Sequence, residues 1–191
     1  MTVKDLVLKN RSYRRFAESE TISLGTLKEL VDLGRLSASA ANLQPLKFVL
    51  SHTSGTNAAI FSCLAWAGYL TDWPGPAEGE RPAGYIVMVG DTAIRKTFDC
   101  DHGIAAQSIL LGAVEKGLGG CMIGAIDRDK LRAALKLPEQ YEILLVLALG
   151  KPTEHVVIDS VGKDGSIKYW RDAQGVHHVP KRALDDIILP L

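Results

Sequence analysis

The sequence predicts an α/β or α+β domain, a sheet flanked by helices, from three observations. Segments with helical spacing alternate with short apolar runs of strand length. Two of those runs, Tyr85-Ile86-Val87-Met88-Val89 and Tyr141 to Leu149, are almost wholly apolar, as strands covered on both faces are. Hydrophobic residues make up 47% of the 191 positions, enough for a sizeable core. One domain over residues 1–191, or one protomer of an intertwined dimer, fits this length.

The elements follow in order. Val3, Leu6, Val7 and Asn10 have helical spacing, so a first helix runs into a basic cluster. Ser23 precedes Leu24, Leu27, Leu30, Val31 and Gly34, an N-cap followed by one apolar stripe. Ser37 to Pro45 lacks periodicity and ends in Gln-Pro, where the residue before proline is pushed to extended geometry. It predicts a loop into a strand at 46–50, with Leu46, Phe48 and Leu50 on one face. Asn57 to Tyr69 reads as a third helix, with Ile60, Leu64 and Ala67 on one side. Asp72 to Pro82, rich in Pro and Gly, reads as an exposed excursion. Asp101 to Lys116 is a long buried helix that Gly117-Leu118-Gly119-Gly120 ends. Cys121 to Ala125 is extended, and Asp127 caps a helix through Leu135 that Pro138 stops. Beyond Pro152 the composition turns polar, with turns at 162–165 and 172–175 and His177-His178 in a turn. Val179 to Arg182 leads into Leu184, Ile187 and Ile188, a short amphipathic tail.

Charge and cysteine content narrow the function classes. The 22 basic and 22 acidic residues balance, which argues against nucleic acid or an anionic membrane as partner. Three cysteines without CxxC or comparable spacing give neither a disulfide framework nor a zinc motif, and Cys63, Cys100 and Cys121 read as buried inert thiols. No metal site is expected, since the histidines lack ligand spacing. His102 reads as a helix-start residue. No apolar run approaches membrane-spanning length and the first residues lack a signal-peptide pattern, so a reducing, cytoplasmic setting is expected.

Two segments carry chemistry. In Asn10-Arg11-Ser12-Tyr13-Arg14-Arg15-Phe16, arginine forks and a serine hydroxyl suit a phosphate monoester. In Ser39-Ala40-Ala41-Asn42-Leu43-Gln44-Pro45, Asn and Gln offer both donors and acceptors to the edge of a planar ligand, and small neighbours let backbone approach it. Gly117-Leu118-Gly119-Gly120-Cys121-Met122 is no dinucleotide fingerprint: Met122 stands at the third glycine, and a helix precedes it instead of a strand.

These motifs resemble the FMN-dependent nitroreductase family. The likeness runs from Arg11–Phe16 and Asn42–Pro45 through Gly79-Glu80-Arg81-Pro82, Ile104-Ala105-Ala106-Gln107 and Gly117-Leu118-Gly119 to Leu137-Pro138 and Leu149-Gly150-Lys151-Pro152. The resemblance implies an α+β fold, a three-layer α/β/α arrangement with a mixed central sheet, working as an intertwined homodimer with FMN at the interface. On that pattern Arg11, Ser12 and Arg14 match the phosphate and ribityl end. Ser39, Asn42 and Gln44 match flavin contacts, the serine region coming from the partner chain. Ile123 and Gly124 match the backbone near flavin N5, and Lys181 or Arg182 matches the basic pair that closes over the phosphate. Arg15 is left to solvent. Asn10, Ala38 and Leu46 depart from the pattern, where a basic residue, proline and tryptophan are usual.

The implied activity has two half-reactions: NAD(P)H gives hydride to flavin N5, and an organic acceptor such as a nitroaromatic or quinone then takes the electrons. No catalytic side-chain base is expected. The alternatives are a flavin-binding or sensory protein without turnover, and an enzyme of the same fold that dehalogenates reductively or fragments flavin.

Overall fold

The computed structural model describes residues 1–190. In chain order the elements are α1 (Val3–Lys9), α2 (Leu24–Arg35), β1 (Leu46–Ser51), α3 (Ser54–Phe61), β2 (Gly84–Asp91), α4 (Asp101–Glu115), β3 (Gly119–Ile123), α5 (Arg128–Leu135), β4 (Tyr141–Gly150), β5 (Val156–Ser160), β6 (Trp170–Arg171) and β7 (His177–Lys181). β1 to β4 form one sheet in the order β1-β2-β4-β3, and β5 to β7 form a second in the order β5-β7-β6.

The four-stranded sheet carries helices on both faces, which explains its apolar strands. Along β2, Ile86 and Met88 face a core closed by Leu27 and Leu30 of α2 and by Ala105, Ile109 and Leu110 of α4. Tyr85, Val87 and Val89 face a second core closed by Ile60 of α3 and Leu131 of α5. Side chains alternate across a strand, so a strand covered on both sides has no polar position. This is the three-layer α+β arrangement that the family resemblance implies. Every pairing within the four-stranded sheet of one chain is antiparallel. Parallel pairing occurs in the small sheet, between β5 and β7.

The helix starts follow local chemistry. Ser23 Oγ accepts from Thr26 N at 3.0 Å, and Asp127 Oδ1 accepts from Lys130 N at 3.1 Å. Gly117 turns the chain out of α4 at φ 74°, a left-handed conformation that favours glycine. Among the described residues no helix is long and apolar enough to cross a membrane.

Four local expectations are corrected. The third helix stops at Phe61 instead of reaching Tyr69, because the following backbone pairs elsewhere. Ala65 N donates to Ala125 O and Asp127 N donates to Cys63 O, at 3.0 and 2.9 Å, and Leu64 bridges Ile126. The polar end of the chain is a sheet: His177 and His178 lie in β7, not in a turn, and the tail after Arg182 forms no helix. Leu184, Ile187 and Ile188 are exposed. Cys63 and Cys121 are buried, but Cys100 is exposed.

Candidate functional site

The basic N-terminal segment is laid along the edge of β3. Ser12 bridges Gly120, Tyr13 N donates to Gly120 O at 3.0 Å, and Phe16 is fully buried beside Pro152. Gly120 permits this close layering: a Cβ there would lie 2.6 Å from Ala148 O. The result is a cavity of about 320 Å³ with Arg11, Ser12 and Arg14 on one wall, Gln107 and Leu110 of α4 behind, and Met122 of β3 below. The small sheet supplies the roof, through Tyr169, His177, Val179 and Lys181. Asn10, where the family pattern has a basic residue, lines the same cavity and donates to Gln107 Oε1 at 3.4 Å.

Arg14 is the best-held of the cations. Only 9% of it is exposed. Its Nη1 donates to Ser12 O at 3.2 Å and lies 3.3 Å from His177 Nε2, and its guanidinium sits 4.9 Å from the Tyr169 ring centroid. Arg11 donates from Nη2 to Val7 O at 2.7 Å, and its buried Nε has no partner among the described residues. Arg15 points elsewhere: it is half-buried and pairs with Glu80 at 3.3 Å, so it is not left to solvent.

Glu154 fastens the roof to this wall. Its carboxylate accepts from the backbone N–H of Arg14 and of Arg15 and pairs with Arg171 of β6 at 2.9 Å. Nothing in the motif pattern singles out Glu154; only the fold brings it beside residues 14 and 15.

A second cavity of about 210 Å³ adjoins the first, sharing Arg14 and Met122. Ile123 and Gly124 line it together with Trp66, whose buried Nε1 has no partner among the described residues. The two cavities thus adjoin, the first lined by several cationic side chains and the second by backbone and an aromatic ring.

The loop from Ser39 to Gln44 is not in that site within one chain. Ser39 and Gln44 line a third cavity of about 200 Å³, between α2, β1 and the start of α4. Asn42 is exposed and lines none of the three cavities. Asp101, the first residue of α4 and 2% exposed, ties the loop down. Its carboxylate accepts from Ser39 Oγ at 2.6 Å and from Ala40 N at 3.0 Å, and Ser39 Oγ accepts from Gln44 N at 3.0 Å. Ala41, Asn42 and Gln44 all have φ near +50°, an unfavourable conformation for residues with a side chain. Of the candidate basic pair, Lys181 lines the first cavity, whereas Arg182 is exposed and lines none of the three.

The roof carries two titratable histidines of opposite sense. Burial, then the Arg14 charge, pulls His177 down to about 4, and Glu154 opposes this. Burial also depresses His178, but hydrogen bonds to Asp159 at 2.7 Å and Asp172 at 3.3 Å, with their charges, outweigh it and raise the group. His177 therefore withdraws stability as pH falls from the ordinary 6.5 through 4, because the unfolded imidazole binds the proton first. His178 contributes fully below 6.5 and its contribution is lost as pH rises through its elevated folded value. Hydrogen-exchange protection of β5–β7 is expected to peak near pH 6.5. In His178→Ala the loss on the alkaline side should disappear while the acid-side loss remains.

Comparison with known proteins bears on the family and the fold. The family model described as the nitroreductase family matches residues 7–67 and 75–151, and the chain belongs to that family. The NADH dehydrogenase of Thermus thermophilus is 25% identical, over 81% of this chain and 88% of that protein. The NADPH-flavin oxidoreductase of Vibrio harveyi is 24% identical, over 79% of this chain and 66% of that protein. The solved structure of an FMN-dependent nitroreductase from Clostridium difficile has the same fold, with a TM-score of 0.64 at 22% identity, covering 78% of this chain and 87% of that one.

Proposed function

We propose that the protein is an FMN-dependent oxidoreductase that carries hydride from NAD(P)H to an organic acceptor such as a nitroaromatic or quinone, as a homodimer in a reducing, cytoplasmic setting. The observation that supports this most is the pair of adjoining cavities that share Arg14 and Met122. Their linings differ as the two ends of FMN differ. Arg11, Ser12, Arg14 and Lys181 surround the end suited to a phosphate, whose oxygens match guanidinium forks and an ammonium. Buried Arg11 Nε and Trp66 Nε1, without partners among the described residues, are donors that a ligand rich in oxygen and ring nitrogen could reach or organise. Ile123 and Gly124 line the ring end, where backbone approaches a flat ligand face.

FMN, when bound, supplies the redox chemistry, taking up hydride at N5 and passing the electrons on. The chain's contribution is binding and electrostatics. Arginine and lysine neutralise the phosphate, and the cationic wall favours negative charge on the ligand. The apolar side chains of Met122 and Ile123 limit water beside the ring.

A second copy of the chain completes the proposal. Ser39, Asn42 and Gln44 lie away from the two joined cavities of their own chain, so their match to flavin contacts requires the partner's loop to reach across. The exposed apolar side chains of Leu184, Ile187 and Ile188 also suit a partner surface.

The decisive experiment is visible absorbance of the purified protein followed by release of the chromophore. FMN at about one per chain, with NADH or NADPH consumed in the presence of a nitroaromatic or quinone, is the expected result. A colourless protein that ignores added FMN would refute the proposal.

A further inference from the structure

The geometry points to His177 as a positioning residue for the cofactor phosphate: together with the Tyr169 ring, its Nε2 holds the Arg14 guanidinium facing the cavity. This rests on the FMN assignment above and goes beyond it. The family match ends at residue 151, so the roof that carries both residues lies outside it.

Three contacts define the plane of the Arg14 fork. Nη1 donates to Ser12 O at 3.2 Å and meets His177 Nε2 at 3.3 Å, and the Tyr169 ring lies under the guanidinium at 4.9 Å. Ser12 O alone would leave the fork free to swing about that bond. Tyr169 and His177 also pack on each other, with ring centroids 5.3 Å apart, so the support is itself rigid.

The direction of the His177 bond is fixed by chemistry. An arginine carries only donors and stays protonated, so Nε2 must offer a lone pair and the proton must sit on Nδ1. Burial and the Arg14 charge keep the ring neutral at pH 7, which agrees with that tautomer. The groups that face it are Arg14, Glu154, Arg171 and His178, and only Glu154 favours protonation. Nδ1 is buried and has no partner among the described residues. A lone structural histidine in a sheet would gain from pairing both nitrogens. Here one nitrogen goes unpaired while the other holds Arg14.

The imidazole is not needed for the sheet. The backbone N–H of His177 donates to His155 O at 2.8 Å, and its pairing with Val156 of β5 is a main-chain ladder. Phenylalanine fills the site and keeps that ladder while removing the acceptor. Glutamine restores an acceptor oxygen at similar reach.

The test uses FMN and riboflavin, which share a ring and differ by the phosphate. Dissociation constants come from flavin fluorescence, with the melting temperature of each variant recorded. In His177→Phe the FMN constant is expected to rise about tenfold, while the riboflavin constant stays within about twofold. His177→Gln should recover most of the FMN affinity. If His177→Phe does not fold, Tyr169→Leu serves instead and should show the same selective loss of FMN. FMN affinity unchanged in the variant, or FMN and riboflavin weakened alike, would overturn the role of His177. If the wild-type protein binds neither flavin, the cofactor assignment itself fails, and this inference with it.

Discussion

Replacing Arg14 by alanine is expected to weaken FMN binding by about 30- to 100-fold, or about 2–3 kcal/mol. Arg14 is chosen over its neighbours by its surroundings. Arg15 is engaged with Glu80, and Arg11 is held by one bond to Val7 O. Arg14 alone is buried at the junction of the two cavities and fixed from three sides. Lysine at this position keeps the charge but loses the planar fork, so Arg14→Lys should fall between wild type and alanine. Riboflavin affinity should change far less than FMN affinity in both variants. Isothermal titration with the two flavins checks this, and equal FMN affinity in wild type and Arg14→Ala would remove the phosphate from this wall.

The parts of the fold that the sequence disclosed are those whose pattern is enforced by burial. β2 and β4 are sandwiched between helices, so they are apolar at nearly every position and stand out. Ser23 and Asp127 are caps whose side chains are used locally. Ile60, Leu64 and Ala67 keep helical spacing and so predict a longer third helix than forms, although Leu64 is half-buried and Ala67 buried in non-helical chain. Leu64 belongs to the pairing of residues 63–65 with 125–127, a contact far along the chain. The small sheet is not legible in the sequence for a different reason. Its strands are short and half-exposed, and Pro180 sits inside β7, where it is tolerated because that pairing does not need its missing N–H. The run Val156-Val157-Ile158 was the one available signal, since three successive β-branched residues favour a strand.

The site divides the same way. Arg11, Ser12 and Arg14 are close in sequence, so their grouping could be read directly, and the fold adds Lys181 beside them. Glu154, His177 and Asp101 belong to no motif, because an acid or a histidine acquires its partner only through tertiary contact. An acid at the first position of a helix is ordinary, as it suits the helix dipole, so Asp101 carried no distinguishing mark.

Asp101 nevertheless holds the largest concentration of strain in the molecule. Three residues with side chains, Ala41, Asn42 and Gln44, sit in the left-handed region, which Asn tolerates but which is unfavourable by about 1 kcal/mol or more for each of Ala41 and Gln44. The loop keeps this shape because Asp101 binds Ser39 Oγ and Ala40 N, and Ser39 in turn binds Gln44 N. Asp101→Ala removes two charge-assisted hydrogen bonds and leaves a gap beneath the loop. The expected loss is about 3–5 kcal/mol, which for a chain of this size lowers the melting temperature by about 10 °C. Asp101→Asn keeps the shape and one acceptor, so about half that loss is expected. Hydrogen exchange should show protection lost over residues 38–45 while the centre of α4 stays protected. The effect on ligands distinguishes this loop from the phosphate wall. If the partner's loop lies against the flavin ring, Asp101→Ala weakens riboflavin and FMN by the same factor, whereas Arg14→Ala weakens FMN selectively. A variant that loses loop protection yet binds riboflavin as the wild type does would place the loop away from the ring.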